Sequence, residues 1–311
     1  MAPIRGVTHA AFRNAFAKWF GGFDATLAPY MVAHGDTMPS DAHLRDAMPD
    51  SNVLPTVPQL LSDDPDAFVR VARVYLDGGC TEVNWNLGCP YPMVTRRRRG
   101  AGLLAHPDRV DAFLDHACSR LGACVSVKLR LGMHDAVESE PVIAVLNRYP
   151  LKSVTLHPRT ASQVYRGSVD LDAFARCLQL SRHLLTYNGD IVDVPSFRER
   201  RSAFPAVRDW MLGRGAIANP FLPASLRCEQ GVQQPDRKKL EGFHQDLLEH
   251  HRRTLSGSAH VLHKMKELWG YWARSFDPKT KAIKKILRAK RFEHYERHAR
   301  EVFDGAGRWI R

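Results

Sequence analysis

Eight short apolar runs alternate with longer helix-patterned stretches across residues 1–235, and this alternation narrows the possible folds more than any other feature. The runs are Ala2-Ile4, Ala25-Val32, Leu54-Leu60, Glu82-Leu87, Cys124-Arg130, Ser153-His157, Leu184-Asn188 and Trp210-Gly213. Between them the spacing predicts helices over Thr8-Phe20, Pro65-Gly78, Pro107-Leu121, Glu138-Tyr149, Leu171-Leu180 and Pro195-Ala203. Thr8, Asp64 and Asp193 stand where N-caps belong, and Gly78-Gly79 supplies a stop. Strands that take turns with helices build a parallel sheet, so a (β/α)8 TIM barrel fits eight units of this kind. A doubly wound open sheet is the alternative, but no G-x-G-x-x-G follows the first strand.

Beyond Cys228 the composition changes. Residues 229–235 are polar with Gly and Pro, as in a linker, and three amphipathic helices are expected over Arg237-Thr254, Ala259-Ser275 and Pro278-Phe303. The boundary is drawn between residues 235 and 236, with an all-helical C-terminal domain to follow. Residues 236–311 hold 19 Lys+Arg against 10 Asp+Glu, while residues 1–235 hold 26 against 23, so the tail carries most of the net +12. Ile283, Ile286 and Leu287 mark an apolar face of the last helix, and Lys281, Lys284, Lys285, Arg288 and Arg291 a cationic stripe. Such a surface suits a polyanion, or is simply a solvated basic face. No apolar run reaches the roughly 20 residues of a membrane span. The opening Met-Ala-Pro-Ile-Arg has no apolar signal core, so secretion is not expected. Six cysteines without a C-x-x-C pair make neither a disulfide framework nor a zinc site. A reducing cytoplasm, no metal and a monomer are the expectations.

Chemistry-bearing residues fall at strand ends. Asn86-Leu87-Gly88-Cys89-Pro90 breaks a buried strand and hands a thiol to the loop beyond. Gln59 closes the third strand, and Ser126, Lys128 and Arg130 share one face of the fifth. His157 and Arg159 follow the sixth, Asn188-Gly189-Asp190 the seventh, and Gly213-Arg214-Gly215 the eighth. A lysine pointing into a barrel must find an anion or an acceptor. Small residues before a helix, after strands seven and eight of such a barrel, form the usual phosphate corner. Taken singly, each residue also has a structural reading: a buried thiol, a satisfied histidine, a turn.

Together these motifs resemble the tRNA-dihydrouridine synthase family over nearly the whole chain. The carriers are Met1-Ala2-Pro3-Ile4, Gln59, Asn86-Leu87-Gly88-Cys89-Pro90 with Gly100-Ala101-Gly102-Leu103-Leu104, Val127-Lys128-Leu129-Arg130-Leu131-Gly132, His157-Pro158-Arg159-Thr160, Asn188-Gly189-Asp190-Ile191 and Gly213-Arg214-Gly215-Ala216. The resemblance implies an FMN-containing barrel, NADPH as reductant, and reduction of a uridine C5–C6 double bond in the tRNA D-loop. By the same resemblance Cys89 is the general acid and Asn86 holds the uracil. Ala2, Pro3, Ile4, Gln59, Lys128, His157, Asn188, Asp190, Gly213 and Arg214 are assigned to the cofactor. Arg130 and Arg159 are assigned to the substrate side, and Arg97, Arg98, Lys284, Lys285 and Arg288 to the tRNA, at its D-loop and elbow.

The chain departs from the family pattern at Pro158, where glycine is usual, and at Tyr91-Pro92 and Arg96-Arg97-Arg98-Arg99. The arginine run either grips phosphate over the site or forms a solvated lid. The stretch from His260-Val261 to Trp269 and Tyr271 looks most like the branch modifying uridine 16. Two rival readings are another FMN barrel with a small substrate, dihydroorotate-dehydrogenase-like or ene-reductase-like, and a non-catalytic RNA-binding protein on the same fold.

Overall fold

The computed structural model of the chain describes residues 1–228 and 235–310. The expected linker over 229–235 lies, apart from Pro235, outside the described residues, and so does Arg311. Two compact units divide the chain. The first comprises Met1–Arg5, Ala25–Asp190 and Glu199–Met211; the second comprises Gly6–Asp24, Ile191–Arg198 and Leu212–Arg311.

The first unit holds the sheet. Its strands are β1 (Thr26–Leu27), β2 (Met31–Val32), β3 (Thr56–Val57), β4 (Gln59–Leu61), β5 (Val83–Leu87), β6 (Val125–Arg130), β7 (Val154–His157) and β8 (Leu185–Tyr187). All pair in parallel, in the order β2-β4-β5-β6-β7-β8, with β1 beside β3. A bridge from Tyr187 to Trp210 continues the series. Consecutive parallel neighbours joined by helical crossovers are the order of a (β/α)8 barrel.

Two expected strands are split. The stretch 25–32 breaks into β1 and β2 around Ala28-Pro29-Tyr30, and 54–60 into β3 and β4 at Pro58. Proline has no N–H for the ladder, so each interruption has a covalent cause. Ala2-Ile4 forms no ladder strand, although the Met1 carbonyl accepts the Leu27 N–H at 3.0 Å.

Every residue of β5 is buried, yet its two faces differ. Trp85 stacks on Phe113 of the helix Pro107–Leu121, with ring centroids 3.8 Å apart, and its indole donates to the Ser62 carbonyl. Asn84 and Asn86 point the other way and meet polar neighbours. Period-2 geometry thus sends the apolar set to the helices and the amides to the inner face.

In the second unit the helix Ala10–Trp19 is capped by His9, whose Nδ1 accepts the Phe12 N–H at 3.4 Å, and not by the expected Thr8. The helices Arg237–Thr254 and Ser258–Trp272 follow the expectation closely. The long helix expected over 278–303 is two, Lys281–Arg288 and Phe292–Glu301. Ala289 turns extended between them, and the Lys266 ammonium binds its carbonyl at 2.9 Å. Ala282, Ile283 and Ile286 are buried, while Lys281, Lys284, Lys285 and Arg288 are exposed on the same helix. The core of this unit is aromatic: Phe243 lies within 6.0 Å, centroid to centroid, of each of Phe12, Phe16 and Phe20. No helix among the described residues is long and apolar enough to cross a membrane.

Candidate active site

The register of the sheet gathers the polar residues of its inner face. Gln59 stands opposite Asn84, Asn84 opposite Ser126, Asn86 opposite Lys128, and Arg130 opposite His157. A buried chain of amides runs across three strands. Asn86 Nδ2 donates to Gln59 Oε1 (2.8 Å), Gln59 Nε2 to Asn84 Oδ1 (2.7 Å), and Asn84 Nδ2 to Ser126 Oγ (2.8 Å). Ser126 stands on the face that alternation gives it with Lys128 and Arg130, whereas Asn84 carries no catalytic pattern in the sequence and emerges only from this pairing. The network fixes the amide planes and leaves Asn86 and Gln59 one N–H each beyond these bonds.

Cys89 is set by its own turn. Asn86 Oδ1 accepts the N–H groups of Gly88 (3.0 Å) and Cys89 (2.9 Å), folding the strand end back on itself. Gly100 closes over this turn at φ +55°, and a Cβ there would lie 2.9 Å from the Cys89 carbonyl oxygen. Only glycine takes both the left-handed backbone and that approach. The Cys89 thiol is buried and donates to the Tyr30 hydroxyl at 3.5 Å, within an apolar nest of Leu61 and Val94. Arg5 donates to the same hydroxyl at 3.3 Å. Burial, then the bond with Cys89, push the Tyr30 phenol up to about 12, so it is neutral. Tyr30 is a site residue that motif reading misses, being 59 positions from Cys89 and in no motif.

Lys128 and His157 form the polar floor. Lys128 is partly accessible, and burial together with the Arg130 guanidinium draws its pKa down to about 7. Burial, then the charges of Lys128 and Arg130, hold the His157 pKa well below its usual value. His157 Nδ1 bonds the Asn188 carbonyl. Since a carbonyl only accepts, the ring proton is assigned to Nδ1, leaving a lone pair on Nε2. That Nε2 is buried with no hydrogen-bond partner among the described residues. The floor therefore has a cation requiring an anion or acceptor and an imidazole requiring a donor. A flavin with a phosphate and a hydroxylated side chain offers both, so the residues fit such a group.

The arginines divide by role. Arg130 is buried and braces the Cys89 turn, donating to the carbonyls of Gly88 (3.0 Å) and Thr160 (2.9 Å). Arg159 is buried on Asp190, with its other bond to the Gly167 carbonyl (2.7 Å). Asp190 sits at φ 37°, and Asn188 Nδ2 donates to the Met211 carbonyl at 2.7 Å. In the arginine run Arg97 and Arg98 are exposed, whereas Arg99 is buried on Asp63 at 2.5 Å. Ala2 is buried, and Pro3 and Ile4 half-buried, at the start of the first unit. Gly213 and Arg214, at the head of the helix Arg214–Ala218, belong to the second unit. Gly215 there approaches backbone closely, since a Cβ would lie 2.1 Å from the Ile191 carbonyl oxygen.

The family model for dihydrouridine synthase (Dus) matches residues 1–302. The chain belongs to the dihydrouridine synthase family. It is therefore a flavin-dependent oxidoreductase on a TIM barrel. A tRNA-dihydrouridine(16) synthase of Ralstonia nicotianae is 28% identical over 287 residues, covering 89% of this chain and 87% of its own. The tRNA-dihydrouridine synthase B of Escherichia coli is 27% identical over 229 residues, covering 71% and 68%. Among solved structures, the old yellow enzyme homologue of Zymomonas mobilis superposes with TM-score 0.54 at 12% identity, over 78% of this chain and 93% of its own. Morphinone reductase gives 0.53 at 11%, over 76% and 85%. At such identities the likeness is one of fold, and it is the fold read from the strand order.

Proposed function

We propose that this dihydrouridine synthase acts on tRNA, reducing the C5–C6 double bond of a D-loop uridine, with position 16 the favoured target. The observation that carries the reading is the thiol of Cys89, set by the Asn86 turn on the sheet that aligns Asn86 with Lys128. FMN, recharged by NADPH, supplies when reduced the hydride for uracil C6. Cys89 donates the proton to C5, on the face opposite the hydride. A thiol is a competent proton donor, and the neighbour of Cys89 is a neutral phenol, so Cys89 serves as the acid. The spare N–H of Asn86 suits a uracil carbonyl, and that of Gln59 a carbonyl of the flavin ring. Lys128 provides the cation for flavin or phosphate, and His157 Nε2 accepts from a hydroxyl or ring N–H. Ala2, Pro3 and Ile4 border the cofactor, and Asn188, Asp190, Gly213 and Arg214 are assigned to its phosphate.

Arg130 and Arg159, whose charges are engaged inside the protein, support the substrate side by shaping the loops around it. Arg97 and Arg98, with Lys284, Lys285 and Arg288, take the tRNA backbone. A uridine stacked in the tRNA must leave its stack to reach the site. A monomer in the cytoplasm, with residues 236–311 as the RNA-binding portion, completes the reading. Cys89→Ala tests it. The variant should bind FMN and tRNA as the parent does and lose dihydrouridine formation by at least about 100-fold. Undiminished turnover would remove Cys89 from the acid role.

A further inference from the structure

Three histidines of the second unit meet away from the chemistry above. His9 precedes the helix Ala10–Trp19, while His250 and His251 lie in the last turns of the helix Arg237–Thr254. One donor nitrogen from each lies within 4.8 Å of the other two. The His9 and His250 rings stack at 5.2 Å, and His251 meets both edge-on at 5.5 Å. The helices that present them are locked together. Phe243 packs among Phe12, Phe16 and Phe20, and a Cβ on Gly242 would lie 2.2 Å from the Trp19 ring. Asp246 accepts from the Trp19 indole (2.7 Å) and the Lys18 ammonium (2.8 Å). The trio thus sits on a rigid platform assembled from two ends of the chain.

We propose that His9, His250 and His251 bind a divalent transition-metal ion of the zinc class. Imidazole is a preferred ligand for such ions, and three histidines with water in the fourth position form a recurrent zinc arrangement. Zn–N distances of about 2.0–2.1 Å in a tetrahedron bring the nitrogens to roughly 3.3 Å from one another. The present spacing closes to that by small ring rotations, which the half-buried His9 and His250 can make. The cap bond that His9 Nδ1 accepts from the Phe12 N–H is long at 3.4 Å.

A bound ion would tie the N-terminal helix to the basic helical tail, adding a metal-dependent term to the stability of that unit. The sequence alone gives no such site, because His9 lies more than 200 positions from its partners and the cysteines form no zinc pattern.

The test uses full-length protein without a histidine tag, stripped with a chelator and titrated with ZnCl2 by calorimetry and thermal melting. One ion per chain should bind and raise the melting temperature. His9→Asn keeps an N-capping side chain, and His250→Gln keeps a polar one. Each should weaken binding more than about tenfold and abolish the metal-dependent rise. Cobalt(II) gives a readout that needs no variant, since tetrahedral nitrogen ligation produces intense visible bands and the hexaaquo ion does not. No zinc-dependent stabilisation, equal binding by both variants, or an aquo-like cobalt spectrum would overturn the site.

Discussion

At the scale of single residues the site turns on how buried polar groups are satisfied. Lys128 is a cation whose burial draws its pKa to about 7. In the unfolded chain a lysine keeps its proton to about 10.4. The unfolded state therefore binds more protons between those values, and the flavin-free protein gains stability from this group as pH rises through that window. An anion beside Lys128 restores its charge. FMN binding to stripped protein at pH 8 should therefore take up a proton, and the uptake should fade as pH drops below 7. Calorimetry in buffers of different ionisation enthalpy reads this directly, and Lys128→Met should remove the uptake and weaken binding. Absence of uptake in the parent protein would detach Lys128 from the cofactor.

The Cys89 turn was partly legible in the sequence. Asn86, Gly88, Cys89 and Gly100 announce a strand end and a tight loop, because their backbone demands are local. Tyr30 was not legible, since its contact with the thiol crosses from β2's edge to β5's end. The amide chain of Gln59, Asn84, Asn86 and Ser126 was largely legible: Gln59 and Asn86 stand in motifs, alternation sets Ser126 on the face of Lys128 and Arg130, and only Asn84 is revealed by register.

At the scale of elements, strand positions followed from apolar periodicity and breaks followed from proline. What the periodicity could not deliver was the interruption at Ala289, which depends on a tertiary bond from Lys266. The arginine run shows the same limit. Four consecutive basic residues look equivalent in sequence, yet Arg99 is buried on Asp63 while Arg97 and Arg98 face solvent. Lys284 and Lys285 stay exposed, as a polyanion-binding face requires. Reversing Lys284, Lys285 and Arg288 to Glu should lower tRNA affinity strongly and flatten its salt dependence, by about 0.7–0.9 in log–log slope for each phosphate left without its cation. Flavin content should not change. This tests the surface more cleanly than deleting residues 236–311, because Phe243 is packed among Phe12, Phe16 and Phe20 and deletion would expose them. Unaltered tRNA binding by the charge-reversed protein would discount the stripe.

At the scale of the whole molecule, stability should carry an acid limit written in its buried histidines. His244 hydrogen-bonds Tyr295 inside an aromatic cluster with Trp269 and Trp272, and burial draws its pKa down to about 3. Its unfolded value is about 6.5, so from there down to about 3 the unfolded state binds the extra proton. That histidine alone costs up to about 1.4 kcal/mol per pH unit across the window. Thermal melts from pH 7 to pH 4 should fall steadily, and His244→Gln should be less stable at pH 7 with a shallower fall. An identical slope in the variant would place the acid sensitivity elsewhere.

The family places the molecule among dihydrouridine synthases, and the claim of greatest reach is that its substrate is tRNA. Mass-spectrometric mapping of dihydrouridine in tRNA from cells lacking this protein tests that claim most directly. The modification should be lost at a D-loop position, uridine 16 foremost, and restored by the parent gene but not by Cys89→Ala. An unchanged map of dihydrouridine in the deletion strain would contradict that claim.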